Sequence, residues 1–492
     1  MRLSDFTAKM HRVEQAGTGD PAILGITSDS RDVGPGFIFV ALAGSKGDGA
    51  DYIGDAVKRG AAALIVSDLP RLDPGVPYLV AEDARKALGE AADIFYEYPS
   101  RQLELIGVTG TNGKTTTAYL LRHVLNSVGR RAGMLGTIEY DLGDKQEPAP
   151  LTTPDAVRFT RSLAEMRDFG CKAAVVEVSS HALDQDRAYP HHFAGAVFTN
   201  LTRDHLDYHG GMDAYREAKR KLFLSLGEKA VAVLNFRDAA APRLAEGCRG
   251  RIMGYCLAGE GEPANLPQGI ARAEIVSSTL DGQSFTVKGY SVDHEFRTPL
   301  VGRYNVENCV GAILAAAGLG VPPDSIARAI AGFPGVPGRL ERIESRGGIK
   351  AFVDYSHTDD ALRSVASVLR PLVKGKLITV FGCGGDRDPG KRPLMAKAAE
   401  EFSDRVVVTS DNPRTEDPEK IIDAIMPGFA KPERVTRQAD RPAAIRAAVA
   451  MASPGDAILV AGKGHEDYQI VGTEKRHMDD RELVREAFAS VG

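Results

Sequence analysis

The run Gly107 to Thr117, GVTGTNGKTTT, follows an apolar stretch, LELIGV, and leads into a segment with apolar residues at Leu120, Leu121, Val124, Leu125 and Val128. Strand, glycine-rich turn and helix in that order constrain the fold more than any other feature of the chain, because they belong to a parallel α/β sheet carrying a phosphate-binding loop. Gly110 and Gly113 let backbone amides approach phosphate oxygens. Lys114 supplies a point charge, and Thr115 offers a hydroxyl to Mg2+ at a helix N-terminus. The general pattern is missed by one residue, since Val108 stands where a glycine is usual. An incidental glycine-rich turn is the competing reading, and the flanking strand and helix patterns favour the nucleotide loop.

At 492 residues the chain is expected to form three domains of roughly 150 residues each. Hydrophobic residues make up 43%, enough for several cores. The net charge is -5, with basic and acidic residues interspersed, so no polyanion-binding face is present and nucleic acid is not an expected partner. Cys171, Cys248, Cys256, Cys309 and Cys383 show no CxxC spacing and are odd in number, which argues against a zinc site or a disulfide framework. The N-terminal MRLSDFTAKMHRVEQAG lacks the apolar stretch of a signal peptide, and no run reaches the length of a membrane span. A cytoplasmic protein with no membrane partner is expected.

Residues 1–100 show strand-like runs at Gly36 to Ala43 and Ala62 to Ser67 around a helical stretch, Ile53 to Arg59. This predicts a small α/β N-terminal domain. Residues 101–334 repeat buried-strand runs at Ala173 to Val178, Gly195 to Asn200 and Ala230 to Phe236, separated by helical patterns such as Ala156 to Phe169. The segment FPGVPG, Phe333 to Gly338, reads as a linker. In residues 335–492 the alternation restarts, with strands at Phe352 to Tyr355, Leu377 to Phe381, Arg405 to Thr409 and Ala457 to Ala461. The expected fold class is α/β: a small N-terminal domain, a central P-loop parallel-sheet domain and a Rossmann-like C-terminal domain, with ligands at the carboxyl ends of strands.

Two charged residues stand out against this pattern. In AAVVEVSSH, Glu177 ends an apolar strand, where an ionised carboxylate needs a cation. A magnesium ion is the preferred partner and a loop amide the alternative. In YREAKRKLF, Tyr215, Lys219, Leu222 and Phe223 share one helical stripe, so Lys219 points with the apolar side chains. A lysine in low dielectric has a lowered pKa and presents a neutral amine as nucleophile or for addition of carbon dioxide. A snorkelling side chain is the alternative. His205 and Asp207, in NLTRDHLDYHG, follow another strand end and are candidates for the same site or simple loop residues.

The motifs VTGTNGKTTT, EVSSHALDQDR, TNLTRDHLDYHG, AYREAKRKLF, GRYNVENCVGA, PGRLE, VDYSHTDDAL, FGCGGDRDPGKRPLM, SDNPRTEDP and AGKGHEDYQ, in that order, resemble a Mur ligase. The resemblance spans essentially the whole chain, beginning at Thr27 to Gly44, TSDSRDVGPGFIFVALAG. It implies an ATP- and Mg2+-dependent ligase in which a substrate carboxylate attacks the γ-phosphate and an incoming amine displaces phosphate from the acyl phosphate. The N-terminal domain would hold a uridine nucleotide, the central domain ATP and the C-terminal domain the amino acid. Gly110, Thr111, Asn112, Gly113, Lys114, Thr115 and Thr116 would bind the phosphates. Asn305, Asn308, Arg339 and Asp354 match residues near the base, phosphate and ribose. Thr115, Glu177, His205 and Lys219 would organise metal, with Lys219 carbamylated. Lys114, Glu177, His205 and Lys219 would form the catalytic set.

By the same resemblance Ser30, Thr152, Thr153, Ser179, Gln185 and Arg187 would contact the substrate UDP-MurNAc-L-Ala-D-Glu. Members adding meso-diaminopimelate are similar to this chain in carrying DNPR, here Asp411, Asn412, Pro413 and Arg414. Diaminopimelate ends in an ammonium and a carboxylate on one carbon, and a guanidinium fork suits the extra carboxylate. Arg414 would supply that fork, Asn412 amide hydrogen bonds, Gly462 a backbone contact and Glu466 a partner for the distal ammonium. Arg387 would take the α-carboxylate. In VDYSHTDDAL, Ser356 and Asp359 stand where relatives more often carry Ala and Pro. A folylpolyglutamate synthetase, which would lack the uridine domain and DNPR, and a nucleotide-switched binding protein are the competing readings. A monomer whose C-terminal domain closes about residues 333–338 is expected.

Overall fold

The apolar run before the phosphate loop becomes the strand Glu104–Thr109. Its Leu105, Ile106 and Val108 are fully buried, as in a central parallel strand covered on both faces. The computed structural model describes residues 1–44, 47–69, 73–345 and 347–491. The chain divides into two compact units, Met1–Ala273 with Lys288–Asp293 and Asn308–Ala329, and Glu274–Val287 with His294–Glu307 and Ile330–Gly492.

In the first unit, Glu104–Thr109 lies between Ala173–Glu177 and Gly195–Phe198, both parallel to it. Ala132–Leu135 continues the parallel sheet on one side, and Val231–Asn235 and Arg251–Leu257 continue it on the other. Glu139–Asp141 and Gln146–Pro148 add an antiparallel edge. Later strands flank the earliest one on both sides. The carboxyl end of Glu104–Thr109 therefore opens into a crevice between diverging connections, the place where parallel sheets bind ligands. Helix Lys114–Ser127 starts there and buries Leu120, Leu121, Val124 and Leu125.

The same unit carries a second sheet, ordered Val13–Ala16, Tyr78–Ala81, Ala61–Val66, Phe37–Val40, Gly25–Thr27. It is parallel except for the edge strand Val13–Ala16. Helix Ala84–Phe95 begins at Asp83, whose carboxylate accepts the Arg85 and Lys86 amides. Its Leu88, Ala91 and Ile94 pack on Ile38, Val40, Ile65 and Leu79.

The second unit is doubly wound. Its sheet runs Glu341–Glu344, Lys350–Asp354, Ala457–Ala461, Leu377–Phe381, Arg405–Val408, Val435–Arg437, with only the first strand antiparallel. Alternate residues face opposite layers. Phe352, Phe381 and Leu459 meet helices Asp359–Leu369 and Lys391–Phe402 through Leu362 and Met395. Val353, Val380 and Ile458 meet helices Arg441–Met451 and Asp480–Val491 through Ile445 and Val484. Among the described residues, no helix is long and apolar enough to cross a membrane.

Candidate active site

The phosphate loop is tightly enclosed. A Cβ on Gly110 would collide with the Thr199 hydroxyl, and one on Gly113, whose φ is 86°, would collide with the Asn308 side-chain oxygen. Asn308 thereby touches the loop. Thr111 and Thr202 bind each other across it, the Thr202 amide donating 3.0 Å to the Thr111 hydroxyl. The Asn112 amide donates 2.9 Å to the Asn200 side chain. Thr115 and Thr116 are buried in the first turn of the helix.

Two lysines converge on one carbonyl. Lys114 Nζ donates to Gly110 O at 3.0 Å and to Thr111 O at 2.8 Å, and Lys219 Nζ donates to Gly110 O at 2.9 Å. Lys219 is 1% exposed and sits over the Tyr215 ring, 4.4 Å from its centroid. Burial pushes its pKa well below the ordinary lysine value, and the nearby Lys114 charge pushes it the same way. Helix Met212–Leu224 buries Tyr215, Lys219, Leu222 and Phe223 on one face, which places the amine under the loop.

Glu177 is fully buried at the end of its strand. Thr115 Oγ1 donates to its Oε2 at 3.0 Å, Thr137 Oγ1 to the same oxygen at 3.1 Å, and the Thr137 amide to Oε1 at 2.9 Å. A carboxylate at a strand end joined to a hydroxyl in the first turn of the phosphate-loop helix fits Mg2+, which takes hard oxygen donors and keeps several waters. No three His, Cys, Asp or Glu side chains gather as a metal site among the described residues. Lys219 as an ammonium donates and does not ligate, so it fits a metal only after becoming an anion. His205 is half exposed, with Nε2 3.5 Å from Asp204 Oδ2. Its ring lies 4.8 Å from that of His181 and 6.3 Å from that of Tyr215, while Asp207 is exposed.

From Glu177 a polar network runs along the strand ends. Thr152 Oγ1 lies 3.1 Å from Thr137 Oγ1, and Thr153 Oγ1 donates to the Glu177 carbonyl at 2.7 Å. The Ser179 amide donates to Thr153 Oγ1 at 3.0 Å, and Arg187 Nη1 donates to the Thr153 carbonyl at 3.2 Å. Arg187 also grips Gln185 Oε1, at 2.6 and 3.0 Å. Five of the six residues matched to the UDP-sugar-peptide are thus linked to one another. Ser30 begins a one-turn helix that Asp29 caps on the N-terminal sheet.

In the second unit, Asp354 holds turns together. Its carboxylate accepts the Leu340 amide at 2.8 Å, the Ser356 amide at 2.9 Å and the Ser356 hydroxyl. Arg339 lies over the Tyr355 ring, 5.0 Å from its centroid, and Asn305 Nδ2 donates to the Val301 carbonyl at 2.8 Å. Three further turns leave adjacent strand ends. Gly382 to Arg387 follows Leu377–Phe381, Asp411 to Arg414 follows Arg405–Val408, and Gly462 to Glu466 follows Ala457–Ala461.

These turns meet. A Cβ on Gly384 would stand 3.0 Å from Arg414 Nη1 and 3.7 Å from Arg387 Cγ, so both guanidinium side chains pass one glycine. Arg414 Nη1 donates to the Gly385 carbonyl at 2.8 Å. Asn412 Nδ2 donates to Glu466 Oε2 at 3.0 Å. Gly462 packs against the Asp411 carboxylate, and Pro413 is buried. Arg387 is exposed, available to a ligand from solvent. Sequence reasoning missed Thr137, which fixes both Glu177 oxygens. It also missed Lys463, which lies inside the quoted AGKGHEDYQ motif.

Family models match along the chain: "Mur ligase family, catalytic domain" at residues 22–99, "Mur ligase middle domain" at 108–316, and "Mur ligase, glutamate ligase domain" at 338–464. A UDP-N-acetylmuramoyl-L-alanyl-D-glutamate--2,6-diaminopimelate ligase of Geobacter metallireducens is 44% identical over 99% of this chain and 98% of its own length. The chain belongs to the Mur ligase family. The ligase of the same name from Aquifex aeolicus is 42% identical over 96% of this Mur ligase and 94% of its own chain. A solved structure bearing that name is 34% identical, with a TM-score of 0.72 and 95% of each chain covered. A folylpolyglutamate synthase of Mycobacterium tuberculosis shares the fold alone, at 20% identity and a TM-score of 0.57 over 76% of this chain and 91% of its own.

Proposed function

We propose that this Mur ligase joins meso-2,6-diaminopimelate to UDP-N-acetylmuramoyl-L-alanyl-D-glutamate, using ATP and an acyl phosphate, in peptidoglycan synthesis. Residues 1–100 hold the uridine end, 101–334 the ATP and 335–492 the amino acid. The observation that carries the choice of amino acid is the gathering of Arg414 and Asn412, on the turn after Arg405–Val408, with Glu466, on the turn after Ala457–Ala461. A cationic fork beside a carboxylate matches a terminus that carries both charges. Free cysteines at all five positions suit the reducing cytoplasm, where a monomer works.

The reaction needs a carboxylate to become an electrophile. At neutral pH its oxygen is a poor leaving group, and phosphorylation makes it a good one. Both phosphoryl transfer and amine attack build negative charge, which fixed cations stabilise without reorganising. Lys114 and the loop amides hold the β- and γ-phosphates. Thr115 and Glu177 would hold Mg2+, together with His205 and a carbamylated Lys219. That ion, when bound, would neutralise phosphate charge. Thr152, Thr153, Ser179, Gln185 and Arg187 orient the sugar-peptide, and Arg387 takes the α-carboxylate of the incoming amino acid.

Purified protein given ATP, the dipeptide precursor, and lysine and diaminopimelate in competition is expected to release one phosphate per product. The product mass is expected to show diaminopimelate added. ATP consumption without a lengthened peptide, or preferential addition of lysine, would overturn the reading.

A further inference from the structure

Lys463 is a fully buried lysine in the amino-acid site that the proposed function leaves without a role. Its Nζ donates to Asn412 Oδ1 at 3.2 Å and to Glu466 Oε2 at 3.3 Å, and lies 5.4 Å from the centroid of the Tyr468 ring. Asn412 Oδ1 also accepts the Ile470 amide at 2.9 Å, so its amide group has one orientation, with Nδ2 toward Glu466. Glu466 Oε2 therefore takes two donors. Among the described residues no hydrogen bond engages its Oε1.

The local charges can be counted. Arg441 is matched by Asp480, two bonds of 2.7 Å between fully buried side chains. Lys463 is matched by Glu466. No carboxylate pairs with Arg414 among the described residues; its Nη1 meets only the Gly385 and Asn412 carbonyls. The Tyr468 phenol is pushed up chiefly by burial and then by the Glu466 charge, with Arg414 opposing. The Asp411 carboxylate, packed on Gly462 and acting on Arg441, completes a balance of three cations, Arg414, Arg441 and Lys463, against three carboxylates, Asp411, Asp480 and Glu466, while Lys475 and Asp467 flank Tyr468.

We propose that Lys463 is a positioning residue for amino-acid selection: by engaging Glu466 and locking the Asn412 amide, it offsets the Glu466 charge and leaves the Arg414 guanidinium as the cation without a carboxylate partner, which favours a terminus containing a carboxylate and disfavours a lone ammonium. Replacing Lys463 by a neutral residue frees Glu466 to act as an unopposed anion. The pocket then accepts a simple amine such as the lysine side chain. Rejection here is electrostatic rather than steric, a selection built against the wrong partner. The inference rests on the diaminopimelate reading above.

The test begins with the wild-type enzyme. Its turnover of diaminopimelate decides the function independently, and failure there removes the reading rather than the role of Lys463. Where it turns over, the order of kcat/KM is expected to be diaminopimelate, then 2-aminopimelate with its carboxylate alone, then lysine. Lysine used better than 2-aminopimelate would overturn the proposal, and this measurement needs no variant to fold. Lys463→Met is expected to raise the lysine-to-diaminopimelate ratio of kcat/KM by roughly tenfold or more, mainly through KM. In a Glu466→Gln background the same substitution is expected to leave that ratio unchanged, because the two side chains act as a pair. An equal loss on both amino acids, or the same ratio change in both backgrounds, would show that Lys463 is only structural.

Discussion

Lys219 occupies a place that an ordinary lysine avoids: 1% exposed, with another ammonium bound to the same carbonyl oxygen. Its lowered pKa means that the neutral amine, the form that adds carbon dioxide, persists to lower pH than for a free lysine. Activity is therefore expected to rise with pH through that depressed value. Above it, where the amine is neutral and the carbamate forms, removing bicarbonate should have its largest effect. Lys219→Ala is expected to lose on the order of 10²-fold or more in kcat, the scale of a lost charge-stabilising group, with partial return on adding short carboxylic acids. Undiminished turnover would defeat the carbamate role. Arg414→Lys keeps the charge and loses the fork, so the KM for diaminopimelate is expected to rise about tenfold or more while that for ATP stays within about twofold. Equal effects on both substrates, measured by phosphate release, would reject it. Glu177 and Lys219 were legible in the sequence because each puts one charge on an otherwise apolar strand or stripe. Thr137 was not, since a threonine after a strand has no pattern of its own and its partner lies 40 residues away. The burial of Lys463 was equally hidden, because Asn412 meets it across 51 residues.

Elements in the second unit are joined by a buried ion pair that also shapes the site. Arg441 opens helix Arg441–Met451, the unfavourable end of a helix dipole for a cation, and Asp480 opens helix Asp480–Val491, the favourable end for an anion. Their bidentate contact unites the two helices. The remaining guanidinium hydrogens reach the Ser410 carbonyl at 3.2 Å and the Ala461 carbonyl at 3.0 Å. Those residues immediately precede the Asp411 and Gly462 turns. Asp480→Asn leaves a buried cation short of its partner and is expected to cost about 3–5 kcal/mol in denaturant unfolding, with weaker diaminopimelate binding in the folded fraction. A loss below about 1 kcal/mol would mean that water or another group replaces the carboxylate. Strands such as Leu377–Phe381 and Ala457–Ala461 could be read directly, since central parallel strands are continuous apolar runs. Edge strands could not. Val13–Ala16, reading VEQA, and Gln146–Pro148 have no buried run, and their pairing is decided by neighbours far along the chain.

At the scale of the molecule, length and the linker motif suggested where domains begin, but packing is set by contacts that sequence spacing does not reveal. Within the first unit, the Tyr189 hydroxyl donates to Glu90 at 2.8 Å across 99 residues, tying the N-terminal sheet's helix to the nucleotide-binding segment. The phosphate loop with Lys114 belongs to that unit. Arg387, Asp411 to Arg414 and Gly462 to Glu466 all belong to the other. Side chains without shared partners contribute independently, to within a few tenths of a kcal/mol. Lys114→Ala is therefore expected to abolish phosphate release while leaving the calorimetric Kd for diaminopimelate within about twofold of wild type. Arg414→Ala is expected to do the reverse, weakening diaminopimelate and sparing ATP. A more than tenfold loss of diaminopimelate affinity in Lys114→Ala would mean that the amino-acid turns are formed only when the phosphate loop is intact, and each unit could then no longer be treated as holding its own ligand.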